Sequence, residues 1–373
     1  MPARRSRIGA IVALCCLLAG CDVAIDGAAG ISPAEQQRVD RRAEQRGAVE
    51  SALKALEQAP AVVYKSTIKD ASGQPAELQF RITRNGSAHG ALPVDGKAIQ
   101  VISADKQLYV SATPEYWKAH GLGNSDLYGT GWVRTDSSDL PVNAVEVLNP
   151  RKAASTLRTA VAGLDPLTDP VRSKLPDGTE VYDVGSGLGA LRVTAAAPHR
   201  VVSFAPSLVA AAGGKTLGAE MRVEPLAGDA LKKLQTDLDA AVGGIGQPFD
   251  ALTQVNVSVV NDKLDCTDFV GSCRATIDVA NTVIGGVSGT PVHLTLTVDF
   301  TAQSLGAQSC TAAADAAPDT TTSMTCEVKF KLPNRNASYQ VQAKPSARGE
   351  VRVPVDVNGV REKLKSEFAT LGG

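Results

Sequence analysis

Ala76-Glu77-Leu78-Gln79-Phe80-Arg81-Ile82-Thr83 alternates apolar and polar residues along its whole length, and Asn85-Gly86 follows it. A period of two puts Leu78, Phe80 and Ile82 on one face of a strand. Asn-Gly is the pair that two-residue hairpin turns favour, because both central positions need positive φ. Lys97 to Ser103 and Gln107 to Ser111 read as a second pair of strands around Asp105-Lys106. The four strands predict an antiparallel meander with one face against an apolar layer and the other in water.

Helical segments flank this meander. Ser32-Pro33-Ala34-Glu35 has the form of a capping box, with Ser32 as cap, Pro33 at the first helical position and Glu35 at the third. The helix that follows is charged through Arg46 and turns amphipathic at Val49, Leu53 and Leu56. Its first half reads as a solvated spacer and its second half as a docked helix. Asn149 to Gly163 and Pro166 to Lys174 read as helical, with Leu157, Val161 and Leu164 on the inner side. Ala205 to Leu217 is rich in Ala and Gly and reads as a hairpin or linker.

An echo runs through the later half of the chain. Glu220-Met221-Arg222-Val223 precedes a stretch with Lys233, Leu234, Asp237 and Leu238, and at constant offset Glu350-Val351-Arg352-Val353 precedes Lys363, Leu364, Glu367 and Phe368. Each copy reads as a strand feeding an amphipathic helix. The first helix carries Leu231, Leu234, Leu238 and Val242 as its stripe. Between the copies, Val255–Val260, Arg274–Val279, Val292–Phe300, Cys326–Leu332, Ala337–Ala343 and Glu350–Pro354 read as strands of a small antiparallel sandwich. Ala312 to Thr322 has no large apolar residue and reads as an exposed loop.

The N-terminus has the pattern of an export signal. Arg4, Arg5 and Arg7 precede an apolar run from Ile8 to Ala19, too short to span a bilayer as a helix. Leu17-Leu18-Ala19-Gly20-Cys21 resembles the lipobox of bacterial lipoproteins, whose cysteine receives a diacylglyceryl thioether. Cys21 is then the first mature residue and the point of lipid attachment. One acyl chain holds weakly, whereas two or more anchor stably. The expected location is the outer face of the cell membrane, with the bilayer as the first partner.

The chain has 373 residues and is 43% hydrophobic but only 4% aromatic, with 34 Gly and 20 Pro, a balance that favours strands and turns. Its formal charge of −1 and the lack of a basic stripe with interleaved aromatics argue against nucleic acid. Of the 7 cysteines, Cys15 and Cys16 leave with the signal, and Cys266, Cys273, Cys310 and Cys326 remain beside Cys21. An even number in an exported segment implies disulfides, and four cysteines allow three pairings. Local pairing, Cys266–Cys273 and Cys310–Cys326, is preferred. The absence of a C-x-x-C pair argues against zinc.

A resemblance enters with a set of short motifs. Lys106-Gln107-Leu108-Tyr109-Val110, Tyr116-Trp117-Lys118, Gly131-Trp132-Val133, Asp177-Gly178-Thr179-Glu180-Val181-Tyr182-Asp183 and His199-Arg200-Val201-Val202-Ser203-Phe204 resemble the LppX/LprG-like lipoproteins of actinobacteria. The similarity is patchy and covers roughly residues 47–225. It implies an α+β fold in which an antiparallel half-barrel sheet curls over helices, as in the carrier LolA. It also implies a lipid or glycolipid held between sheet and helices. Ala275-Thr276-Ile277-Asp278-Val279-Ala280-Asn281-Thr282 resembles the central strand and turn of bacterial Ig-like modules. The resulting division is a signal (1–20), a lipidated tether (21–46), a LolA/LppX/LprG-like domain (47–226), a linker helix (227–245) and an Ig-like β-sandwich with a terminal helix (246–373).

No catalytic constellation emerges. His89, His120, His199 and His293 are scattered. Gly214-Lys215-Thr216 fails as a P-loop because Val209 stands where its first glycine belongs. Gly185-Ser186-Gly187 lacks the spacing of a nucleophile elbow. The expectation is a protein without enzymatic activity, cofactor or metal. Tyr116, Trp117 and Trp132 either close an ordinary core or frame the mouth of an apolar cavity. Leu78, Phe80, Ile82, Ile99, Val101, Leu108 and Val110 are the expected walls of such a cavity. Two readings stand side by side. One is a lipid-binding envelope lipoprotein whose C-terminal module docks an envelope protein. The other is a structural or interaction lipoprotein whose half-barrel is filled by its own side chains.

Overall fold

The computed structural model describes residues 32–372 apart from 70–72, 95–96, 120, 122–124, 137–143, 164–169, 186–190, 210–219, 268–270, 288 and 334–336. Cys21 and Leu164 therefore lie outside the described residues, as does most of Ala205 to Leu217. The chain divides after Arg41 into two units. In the first, residues 32–41 open helix α1 (Pro33–Gln58) and are all exposed. Ser32 caps this helix, its Oγ accepting the Glu35 amide at 3.2 Å.

The second unit, Arg42–Gly373, is a mixed α+β body. Its largest sheet has twelve strands. The first six are β1 (Ala61–Lys69), β2 (Pro75–Thr83), β3 (Ala88–Val94), β4 (Lys97–Ala104), β5 (Gln107–Ser111) and β6 (Val133–Thr135). The others are β7 (Val171–Lys174), β8 (Glu180–Val184), β9 (Leu191–Thr194), β10 (Val201–Phe204), β11 (Met221–Leu226) and the short β12 (Phe249–Asp250). Their spatial order is β12-β6-β5-β4-β3-β2-β1-β11-β10-β9-β8-β7, with only the β12–β6 pair parallel. Between β4 and β5, Asp105 and Lys106 both take positive φ, the conformation of a two-residue hairpin turn. Opposite Phe80, β3 carries Gly90 at φ +143°, where a Cβ would lie 2.1 Å from the Gln79 carbonyl oxygen. Only glycine fits there.

One face of the sheet packs on the buried half of α1 and on helices α2 (Pro114–Ala119), α3 (Ser125–Tyr128), α4 (Ala144–Val147) and α5 (Pro150–Ala162). Helix α5 forms where the sequence predicts it. The Asn149 side chain caps its start, and Gly163 ends it. Residues 171–174 are strand β7 rather than helix. The helix expected from Pro166 to Lys174 gives way here to pairing along the edge of β8, and residues 166–169 lie outside the described residues.

The other face is not all in water. Ile102, Ala104 and Tyr109 on β4 and β5, with Ala61 and Val63 on β1, pack under helices α6 (Gly228–Ile245) and α7 (Val357–Leu371). The expected linker at 227–245 is thus a packed layer. Leu231, Leu234, Leu238 and Val242 are all buried, as the stripe requires. Where no helix lies, the outer face is charged: Arg192 contacts Asp183 and Glu220, and Lys65 contacts Glu224.

The remaining strands are β13 (Thr253–Thr267), β14 (Ser272–Gly285), β15 (Val292–Ala302), β16 (Gly306–Ala316), β17 (Thr321–Lys329) and β18 (Val341–Val351). They form two three-stranded sheets, ordered β13-β14-β17 and β16-β15-β18, around a second core that includes Ile277, Leu294, Leu296, Phe300 and Met324. The expected loop at 312–322 is mostly strand. Ala312, Ala314 and Ala316 face the core, so the period of two is present in residues too small to announce it. Cys266–Cys273 closes the β13–β14 hairpin, and Cys310–Cys326 joins β16 to β17 across the two sheets. Both pairs are the local ones.

The C-terminal strands are tied into the large sheet. Strand β12 pairs with β6, and Phe249 bridges to Arg352 just past β18. The boundary expected near residue 246 is crossed by this pairing and by α7.

Candidate functional site

The face toward α1 and α5 carries most of the residues expected to line a ligand. Phe80, Ile82, Ile99, Val101, Leu108, Val110, Tyr116 and Trp117 belong to one buried cluster. Strand alternation explains the β-residues, since every second side chain of β2, β4 and β5 points the same way. Leu53 and Leu56 of α1 and Leu157 of α5 close over them. Arg158 on α5 reaches back to Glu50 and Glu57 on α1 at 3.0 and 3.2 Å.

Two expected residues lie elsewhere. Leu78 is half-buried and sits beyond the β2–β3 pairing, which spans Phe80–Ile82. Trp132 packs under the α6–α7 layer, on the opposite side of the sheet. Val133 faces the interior, and the residue before it turns away. The expected aromatic group is therefore split. In place of Trp132, the interior ring chain runs Tyr116–Trp117–Tyr128–Phe249, with centroids 5.0, 5.9 and 5.6 Å apart. Tyr128 and Phe249 escaped the sequence reading. Tyr128 belongs to a one-turn helix with no period, and Phe249 arrives from far along the chain.

The interior is apolar but not uniformly so. Tyr64 Oη and Ser66 Oγ on β1 and Trp117 Nε1 on α2 are buried without a hydrogen-bond partner among the described residues. Burial pushes the Tyr64 phenol far above its usual range, so it stays protonated.

A groove of about 1000 Å³ opens at the turn end of β4 and β5. Leu108 and Val145 give it an apolar wall continuous with the buried cluster, and Ser103 and Thr135 add hydroxyls. Arg84, Lys106, Arg151, Lys363, Asp105 and Glu367 make a charged rim. Asn149 organises this end. Its Oδ1 accepts from the Arg151 and Lys152 amides, and its Nδ2 donates to the Arg84 carbonyl at 2.9 Å. On the far side, Glu367 of α7 accepts from the Thr83 and Ser87 hydroxyls, both at 2.5 Å.

No family model matches the chain, and no curated protein sequence matches it.

Proposed function

We propose that this chain is an extracytoplasmic lipoprotein, anchored through lipid on Cys21, that shelters the apolar part of a lipid or glycolipid between its large sheet and the α1–α5 layer. The observation that carries the reading is the groove of about 1000 Å³ whose inner wall is the edge of the apolar interior. Ligand sites are concave and of about 300–1000 Å³; the lining of this groove is largely polar and charged, with an apolar wall on its inner side. Here Leu108 and Val145 offer the apolar entrance, and the charged rim suits a headgroup left in water.

In this reading the large sheet with α1 and α5 is a half-barrel of the LolA and LppX/LprG kind. The two three-stranded sheets are an Ig-like module that presents the loaded body to an envelope protein. A second reading has its own support. Phe80, Ile82, Val101 and Val110 are completely buried, as in a core filled by its own side chains. The chain is then a surface scaffold without a guest.

Organic extraction of the purified full-length protein, followed by mass spectrometry, separates the two. Leu108→Trp supplies the control, because a larger ring at the groove wall blocks entry. The expected result is a non-covalent lipid on the parent that is absent from Leu108→Trp, with the variant and the delipidated parent melting alike. An extract free of lipid from the parent favours the scaffold.

A further inference from the structure

Five cations line the groove at the turn end of β4 and β5, and they come from four parts of the chain. Arg84 lies in the β2–β3 turn, Lys106 in the β4–β5 turn, Arg151 and Lys152 at the start of α5, and Lys363 on α7. Four acids line the groove with them, and each is engaged. Asp105 holds Lys363 at 2.6 Å, and Glu146 lies 3.8 Å from Lys152. Glu367 takes the Thr83 and Ser87 hydroxyls, and Asp136 has an interaction of its own. Arg84, Lys106 and Arg151 are left without an acid partner among the described residues.

The backbone brings these three together. One Asn149 side chain joins two of them, its Nδ2 donating to the Arg84 carbonyl at 2.9 Å and its Oδ1 accepting from the Arg151 amide at 3.1 Å. The two turns are neighbours, because Ala88, just after the first, pairs with Ser103, just before the second. The Arg84 guanidinium is anchored as well. Its Nη1 donates to the Gln58 carbonyl at the end of α1 at 3.2 Å, and its Nε is buried without a partner. The start of α5 lines the same groove, and a helix N-terminus adds partial positive charge.

Three cations without counter-ions repel one another, and a buried guanidinium N–H without an acceptor is costly. An anion in the groove relieves both. A carboxylate brings a single charge. A phosphate monoester brings about −1.5 to −2 at neutral pH and three acceptor oxygens, nearer to what the unpaired cations call for.

We propose that Arg84, Lys106 and Arg151 form a binding site for a phosphate ester, carried either by a lipid headgroup or by a soluble compound. The site uses the groove of the reading above but none of its apolar interior, so the two stand or fall separately. The cations and their N–H groups donate, the phosphate oxygens accept, and no bond is made or broken.

The test is calorimetric titration of the full-length protein with glycerol 3-phosphate, dihexanoyl phosphatidic acid and acetate. At least one phosphate probe should bind about tenfold more tightly than acetate, and more weakly as salt is added. Tighter binding of the dihexanoyl probe marks a lipid headgroup as the source, and equal binding marks a soluble ester. Lys106→Gln/Arg151→Gln alters two exposed side chains and should lower the affinity about tenfold. Lys106→Glu alone, at a turn tip, gives a second variant with the same expected loss. Lys232→Gln/Lys344→Gln, exposed but outside the groove, should change nothing. The assignment is overturned if neither phosphate probe binds, if acetate binds as well as they do, or if the groove variants match the parent. An equal loss in the Lys232/Lys344 variant overturns it too, since diffuse surface charge then explains the binding. Phosphate binding by a protein whose extract is free of lipid removes the interior guest and keeps this site; a co-purified lipid without phosphate binding does the reverse.

Discussion

Asp250 is a buried charge paired with Arg134. Its side chain is fully buried, and the Arg134 side chain facing it is 13% exposed. The guanidinium meets the carboxylate as a fork, Nε to Oδ1 and Nη2 to Oδ2, both at 2.9 Å. The Thr253 hydroxyl and the Leu252 amide complete the acceptor's shell. Desolvating such a pair offsets much of its attraction, but removing one partner strands the other charge. Asp250→Ala should therefore cost about 3–5 kcal/mol in chemical denaturation. Replacing both members with well-packed apolar residues should cost far less. A single variant as stable as the parent would show that water reaches Arg134.

At the scale of elements, helix α6 meets the sheet through a polar clamp. Arg81 of β2 contacts Asp237 of α6 and also donates to His89 Nδ1 on β3 at 3.1 Å. His89 must be neutral to accept. Burial and then the Arg81 charge hold its pKa below the ordinary 6.5, against an opposing pull from Asp237. Burial alone would raise the Asp237 carboxyl, but its contacts with Arg81 and Lys233 outweigh that and hold it below its usual value. The signs follow from linkage. As pH falls below about 6.5, the unfolded chain takes up a proton at His89 before the folded one does, so stability declines. Below about 3.8 the unfolded Asp237 protonates first, and stability declines again. Thermal midpoints measured from pH 8 to pH 5 should fall in the parent and fall less in His89→Gln. Parallel curves for the two proteins would exclude His89 as the cause.

For the whole molecule, tight integration contrasts with the attachment proposed at its start. The Arg42–Gly373 unit is held by contacts far apart in sequence: β12 with β6, Phe249 with Arg352, and α7 over β1 and β4. The guanidinium of Arg352 also stacks over the Phe249 ring at 4.2 Å. None of these contacts concerns the membrane. No described helix is long and apolar enough to cross one. The proposed anchor is the thioether lipid on Cys21 alone. Cys21→Ala should move the protein from the membrane to the soluble fraction or leave its signal uncleaved, read by fractionation and intact mass. Unchanged membrane retention with normal processing would refute the lipid anchor.

Much of this fold was legible in local pattern. The alternation at 76–83, the turns at Asn85-Gly86 and Asp105-Lys106, the helix from Asn149 to Gly163 and the stripe of α6 each depend on residues a few places apart. Sequence order displays such neighbours directly. The local cysteine pairing belongs with them, since both bridges join strands linked by short turns. What only the tertiary structure decided was which element covers which face. Ile102, Ala104 and Tyr109 were present as a second apolar row, yet their cover comes from α6 and α7, more than a hundred residues later. The same reason put Trp132 on the wrong side in the sequence reading and hid Phe249 from the interior. A period of two says that neighbouring side chains face opposite ways. Which of those faces becomes the interior depends on what the rest of the chain brings to it.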